Sequence, residues 1–267
     1  MKHAVLINGR RIGYEHNEAG TGLPLVLLHG FCEDSTLWDP VAGELRDIQV
    51  VRIDLPGFGA SDPPLSPGME TYSDAVCAVL NELSIDRCVL IGHSMGGYTA
   101  LAFAEKYAER LAGFGLFHSH PYQDTEEAKE NRRRGIAMLQ SGKRDLYVTQ
   151  LFPGLFASEF AVSQPDVVEQ LIEQGKRQSA EGIIAALEGM IDRKDHQHTL
   201  GSAACPVLFL LGSEDPIATP ARGLAASMLT NTADVHVLQG VGHMAMFEAP
   251  EKTVDIVRQF WDFCTRQ

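Results

Sequence analysis

Ile91-Gly92-His93-Ser94-Met95-Gly96-Gly97 is the stretch on which the fold turns. Cys88-Val89-Leu90-Ile91 enters it as a short unbroken apolar run, the pattern of a strand buried on both faces. Tyr98 to Tyr107 leaves it rich in alanine, which predicts a helix. G-x-S-x-G between a strand and a helix forces the serine into a tight turn, and Gly92, Gly96 and Gly97 remove the side chains that would collide there. The Ser94 hydroxyl is then expected at the helix N-terminus, where free N–H groups and the helix dipole favour developing negative charge. Ser94 is therefore the candidate nucleophile.

Outward from this turn, strands and helices alternate. Ala4 to Ile7 and Arg11 to His16 flank Asn8-Gly9, a two-residue hairpin signal, so the chain opens with antiparallel strands. Leu25-Val26-Leu27-Leu28 reads as a buried strand ending at His29-Gly30-Phe31, Ser35 to Leu45 as a helix, and Val50 to Asp54 as the next strand. Tyr72 to Leu83 is an amphipathic helix leading back to the Ser94 turn. Gly113 to Phe117 is a further strand, after which the alternation stops. Four helices are expected in its place: one capped by Asp124 or Thr125 and running to Gly142, one from Arg144 to Pro153, one opened by Pro165, and one capped by Ser179. Cys205 to Leu211 resumes the sheet, Val235 to Leu238 closes it, and Thr253 to Phe263 is a covering helix. Strand–helix alternation implies a mostly parallel sheet, here of eight strands flanked by helices. Residues 1–120 and 201–267 are expected to form the core, and 121–200 a helical cap.

At 267 residues, 45% hydrophobic and 21% charged, the chain can bury one large core carrying an insertion. A formal net charge of −13 argues against nucleic acid or an anionic membrane as partner and leaves a small molecule. The first apolar run is too short for a signal peptide and no run has transmembrane length, so a cytoplasmic protein, monomeric or homodimeric, is expected. Cys32, Cys77, Cys88, Cys205 and Cys264 are scattered and odd in number, which reads as reduced thiols.

Two further loops follow strand ends. Gly212-Ser213-Glu214-Asp215-Pro216 offers Asp215, and Gly240-Val241-Gly242-His243-Met244 offers His243. The order Ser94, Asp215, His243 belongs to one type of serine-hydrolase sheet. The hydroxyl needs a base, His243, and the base needs a carboxylate, Asp215, to hold its tautomer. Two N–H groups, those of Phe31 and Met95, are expected to meet the oxyanion.

With these pieces on the chain, it resembles the α/β-hydrolase superfamily, in the branch of small capped esterases and enol-lactonases. The resemblance spans nearly the whole length. It rests on His29-Gly30-Phe31, on Asp54-Leu55-Pro56-Gly57-Phe58-Gly59-Ser61 with Ala60 inserted, and on Gly92-His93-Ser94-Met95-Gly96-Gly97. Gly212-Ser213-Glu214-Asp215-Pro216 and Gly242-His243 complete it. It implies hydrolysis of carboxylic esters or lactones by an acyl-serine route without cofactor or metal. C–C bond hydrolysis, perhydrolysis, lyase chemistry and a non-catalytic receptor are the alternatives on the same fold. The family sometimes takes its acid after the sixth strand, but His118-Ser119-His120 stands there with no carboxylate before Asp124, so Asp215 is preferred.

Cys32, His120, Phe152 and Phe156 are set down as candidate substrate contacts. Phe152, Leu155, Phe156 and Phe160 either line a pocket above Ser94 or fill the cap's own core. His118 and His120 share a face, but nothing nearby completes a metal ligand set. His29 and His93 read as structural hydrogen bonders. Arg132-Arg133-Arg134 reads as a solvated helix face following Glu126, Glu127 and Glu130.

Overall fold

The structure, a computed structural model, describes residues 2–17 and 20–266. Eight strands form one sheet: β1 Lys2–Ile7, β2 Arg10–His16, β3 Thr21–Leu28, β4 Ile48–Ile53, β5 Cys88–His93, β6 Leu111–Phe117, β7 Val207–Gly212 and β8 Ala233–Leu238. Their order is β1-β2-β4-β3-β5-β6-β7-β8. β2 runs antiparallel to β1 and to β4, and every other pairing is parallel. The hairpin turn is Asn8-Gly9, both at positive φ (49° and 78°), the geometry that follows the twist of the flanking strands.

Burial follows position in the sheet. β5, β6 and β7 are buried along their whole length, whereas the edge strand β1 alternates between exposed and half-buried residues. Central parallel strands are covered on both faces, so their sequences have no polar side. The helices Met69–Glu82 and Met95–Lys106 pack together on one group of strands, and the helix Pro250–Thr265 packs on β3 and β6 with the short Asp39–Ala42 helix. Gly113 of β6 marks how close that last helix comes: a side chain there would meet Cys264 Sγ at 2.4 Å.

Between β6 and β7 the chain forms helices Glu126–Gln140, Arg144–Leu151, Ser158–Ser163, Pro165–Lys176, Ala180–Asp192 and Gln197–Gly201, with a 3₁₀ turn at Phe152–Leu155. The four expected helices are present, and the aromatic stretch between them is itself helical. Thr125 and Ser179 cap as expected, accepting from Ala128 N at 3.2 Å and Gly182 N at 2.9 Å. We read 121–200 as one inserted unit because His196 N donates to the Pro121 carbonyl at 2.8 Å, closing its base. The Ala180–Asp192 helix rests backbone to backbone on the loop after β4. A side chain on Gly182 would lie 2.0 Å from the Gly57 carbonyl oxygen.

The expected Ser35–Leu45 helix is shorter: a 3₁₀ turn at Ser35–Trp38 runs into Asp39–Ala42. Asp34 caps it through Thr36 N at 3.0 Å. All five cysteines are free thiols, and among the described residues no helix is long and apolar enough to cross a membrane.

Candidate active site

β5 delivers Ser94 in the conformation the glycines predict. Its backbone sits at φ 49°, ψ −111°, immediately before the Met95–Lys106 helix. Holding a non-glycine residue there costs on the order of 1–3 kcal/mol, and the surroundings enforce it. Ser94 N donates to the Phe117 carbonyl at 2.9 Å, and Ser119 Oγ donates to the Ser94 carbonyl at 2.8 Å. Gly92 is required because a side chain on it would lie 2.1 Å from the Gly96 carbonyl oxygen.

Asp215 and His243 meet beyond the ends of β7 and β8. His243 Nδ1 lies 2.8 Å from Asp215 Oδ2, and Asp215 Oδ1 accepts from Ile217 N at 2.8 Å and Ala218 N at 2.9 Å. Burial alone would raise the Asp215 pKa, but the His243 and His118 imidazoles outweigh it and hold the carboxyl well below the usual carboxylate range. Asp124 lies elsewhere. Its oxygens face Arg132 Nε at 2.5 Å and Arg193 Nη1 at 2.6 Å, so it serves as the counter-ion of two guanidiniums.

Ser94 and His243 line one cavity of about 100 Å³, together with Phe31, Tyr98, Arg132 and Tyr147. A hollow of about 540 Å³ near Arg87, Glu105 and His198 holds none of these residues. Among the described residues the N–H groups of Phe31 and Met95 donate to no protein acceptor, which leaves both free for an oxyanion.

On the wall of the cavity, which Glu33 also lines, His93 ties three loops together. Its Nε2 lies 2.9 Å from the His243 carbonyl and its Nδ1 3.1 Å from Glu33 Oε2, which also accepts from Gly30 N at 2.6 Å. A carbonyl accepts only, so Nε2 carries a proton, and a second proton lies between Nδ1 and Glu33. Burial alone would lower the His93 pKa, but the Glu33 carboxylate prevails and raises it. The pair is read as a buried imidazolium–carboxylate.

The four side chains set down as substrate contacts do not line this cavity. Cys32 is fully buried, and burial pushes its thiol pKa up, which makes it inert. His120 is also buried, its Nε2 3.5 Å from the Tyr98 hydroxyl. Phe152 is enclosed against Gly175, and Phe156 stacks on Phe160 at 5.4 Å beside a different hollow. The reason is backbone traffic: the Leu155 carbonyl accepts from His243 N at 2.6 Å, and Glu248 grips Ala157 N and Gly242 N, both at 2.9 Å. Leu155 of this stretch lines the cavity with Ser94, whereas Phe152, Phe156 and Phe160 lie off it and the stretch supports the His243 loop through its backbone. Phe152→Ala is accordingly expected to cost about 3–5 kcal/mol of stability without moving the acyl-length profile, read by chemical denaturation beside ester kinetics.

The arginine run divides. Arg133 and Arg134 are exposed, but Arg132 reaches the cavity and pairs with buried Asp124. A charge run of like residues gave no sign that one of them faces inward. Glu33 and His118 were also invisible as site residues, because their partners lie far away in sequence. The ligand atoms of His118, Asp215 and His243 converge within 4.8 Å, a spacing accounted for by the hydrogen bonds that join them.

With this geometry established, comparison with known proteins is informative. A family model described as Alpha/beta hydrolase family matches residues 25–256. A 2-hydroxy-6-oxononadienedioate/2-hydroxy-6-oxononatrienedioate hydrolase of Burkholderia vietnamiensis is 29% identical over 96% of this chain and 93% of its own. A 2-succinyl-6-hydroxy-2,4-cyclohexadiene-1-carboxylate synthase of Salmonella newport is 28% identical over 92% of this chain and 96% of its own. A thermophilic esterase from Thermogutta terrifontis, solved with malate bound, superposes with a TM-score of 0.93 at 32% identity over 99% of both chains. The enol-lactonase of Burkholderia xenovorans, at 22% identity over 97% of this chain and 99% of its own, shares the fold with a TM-score of 0.90. The chain belongs to the alpha/beta hydrolase family and is an enzyme of that family.

Proposed function

We propose that the protein hydrolyses small carboxylic esters or lactones through an acyl-serine intermediate. The observation that carries this reading is the meeting of Ser94 and His243 on one cavity, with Asp215 2.8 Å behind the imidazole. His243 Nε2 takes the hydroxyl proton as Ser94 Oγ attacks the carbonyl carbon, and Asp215 stabilises the imidazolium that forms. The N–H groups of Phe31 and Met95 receive the charge on the former carbonyl oxygen. The imidazolium then gives its proton to the leaving alkoxide, and water repeats the sequence on the acyl-serine. The test is a panel of p-nitrophenyl esters and lactones run beside a fluorophosphonate, which should label Ser94 and stop turnover. Turnover that persists after full labelling removes the reading.

Cavity size and charge narrow the substrate. A cavity of about 100 Å³ suits a short acyl group. Arg132 brings a guanidinium to the cavity wall, its counter-ion Asp124 being shared with Arg193. Acetyl to butyryl esters should therefore surpass octanoyl esters, and a succinate monoester should surpass the butyrate ester of equal length. Arg132→Met should lower kcat/KM for the succinate monoester by about tenfold, the worth of one hydrogen bond to a charged group, and leave acetate esters nearly unchanged. Equal losses on both would assign Arg132 to packing alone.

Similarity to a C–C bond hydrolase at 29% identity favours a second reading on the same residues. Cleavage of a 2-hydroxy-6-oxo dienoate at a kcat/KM well above that of every ester would select it. A lyase or synthase reaction forms no acyl-enzyme, so trapping one by rapid quench discriminates against it.

A further inference from the structure

His118 is the residue that follows β6, and it is held in an unusual state. Its backbone lies in the left-handed region at φ 49°, its N–H donates to the Leu210 carbonyl at 2.8 Å, and its side chain is fully buried. The ring approaches the triad acid: Nδ1 is 2.9 Å from Asp215 Oδ2, the oxygen that His243 Nδ1 meets at 2.8 Å. The opposite nitrogen, Nε2, is buried and has no partner among the described residues. An imidazole with one nitrogen on a carboxylate and the other buried without a partner has one sensible form, neutral with its proton on Nδ1. Burial pushes its pKa down to about 4 even against Asp215. Positive φ and an orphaned nitrogen both cost stability, and an apolar side chain would incur only one of them.

We propose that His118 is a positioning residue of the triad, donating Nδ1–H to Oδ2 of Asp215 so as to hold that oxygen toward His243 and to draw off part of its charge. The proposal rests on the Ser94–His243–Asp215 reading. Asp215 then receives four donors, two on each oxygen: Ile217 N and Ala218 N on Oδ1, and His118 and His243 on Oδ2. Neither oxygen can leave its place without breaking two hydrogen bonds. The consequence is also electrostatic. A carboxylate already sharing its charge with His118 binds the His243 proton less strongly. The titratable groups that face His118 are Asp215, His243 and His93, the last paired with Glu33.

The test reads the His243 base without needing the natural substrate: the rate of Ser94 phosphonylation by a fluorophosphonate as a function of pH. In His118→Leu the acid limb should move up by roughly half to one pH unit, because Asp215 regains the charge that His118 shared. Its plateau should fall on the order of tenfold to a hundredfold, the worth of one charge-assisted hydrogen bond. His118→Asn presents an amide N–H in the place of Nδ1–H and tolerates left-handed backbone, so it should restore both limb and plateau. In the wild type, ¹⁵N shifts should report Nδ1–H and a bare Nε2 for His118 at neutral pH, a readout independent of any variant's folding. An Nε2–H tautomer, or a folded Leu variant with the wild-type limb, overturns the positioning role while the triad stands. Equal losses in both variants with an unmoved limb also overturn it, in favour of packing. Wild-type protein that reacts at no pH overturns the Ser94 reading and this role with it.

Discussion

Ser94→Ala is expected to remove ester turnover by a factor on the order of a million while leaving the fold unchanged. The size of the effect comes from what the hydroxyl does in the cycle. Without it there is no acyl-enzyme, and His243 with the Phe31 and Met95 N–H groups can at most position a water, which accounts for the residual rate in comparable triads. The fold should survive because the strained turn is built by Gly92, Gly96 and the backbone hydrogen bonds of residue 94, none of which uses Oγ. Alanine accepts the φ of 49° no worse than serine does. The measurement is kcat/KM on the best short-chain ester, with circular dichroism and thermal unfolding on the same sample. A variant that keeps activity within about tenfold of wild type would show that Ser94 is not the nucleophile.

What could be read from the chain, and what could not, divides by the range of the constraint. The elbow at Ser94 is marked by neighbours a few residues away. Gly92 clears the Gly96 carbonyl across the turn, while Gly96 clears the Leu28 and His29 carbonyls and Gly97 the Ser119 side chain, so three glycines within six residues announce the close packing before the partners are known. The same holds for Asn8-Gly9 and for the buried strands, whose apolar runs follow from having both faces covered. Asp215 and His243 were legible because each sits one loop beyond a strand end, where the sheet must place it. Glu33 and His118 carry no such mark. His118 stands where a triad acid is sometimes found, and only the folded chain brings it to Asp215, 97 residues on. The inserted helices are the extreme case. Periodicity gives the helix but not its rotation about its axis, so the arginine run was read outward although Arg132 lines the cavity, and Phe152 and Phe156 stayed open between pocket and cap core until the fold placed both off the cavity. The rotation is fixed by contacts such as Asp124 with Arg132 and Arg193, and the Leu155 carbonyl with His243 N. None of these has a period.

Asp215→Asn is the second large effect, expected at about ten-thousandfold in turnover. The surroundings of this carboxylate make the reason unusually clear. All four of its partners are donors, two on each oxygen. An asparagine amide has one acceptor and one donor end, so in either orientation its NH₂ must face two N–H groups. If it faces the rings, His243 can satisfy it only by giving up the Nδ1 proton and taking the tautomer whose Nε2–H cannot accept from Ser94. If it faces Ile217 and Ala218, two backbone donors lose their acceptor in a buried turn, and the loop that carries residue 215 shifts. Either outcome disables the base, and neither is available to the exposed Glu214 or to Asp124, whose partners are arginines. Glu214→Gln should therefore leave kcat on acetate esters unchanged. Asp124→Asn should lower stability but leave acetate turnover within a few-fold. The Asp215 carboxyl is held so low by its imidazole partners that it stays ionised throughout the working range. Asp215 therefore contributes no acid limb of its own, and Asp215→Asn should lower the plateau at every pH. A variant whose loss disappeared at high pH would mean that Asp215 only tunes the histidine and does not hold its tautomer.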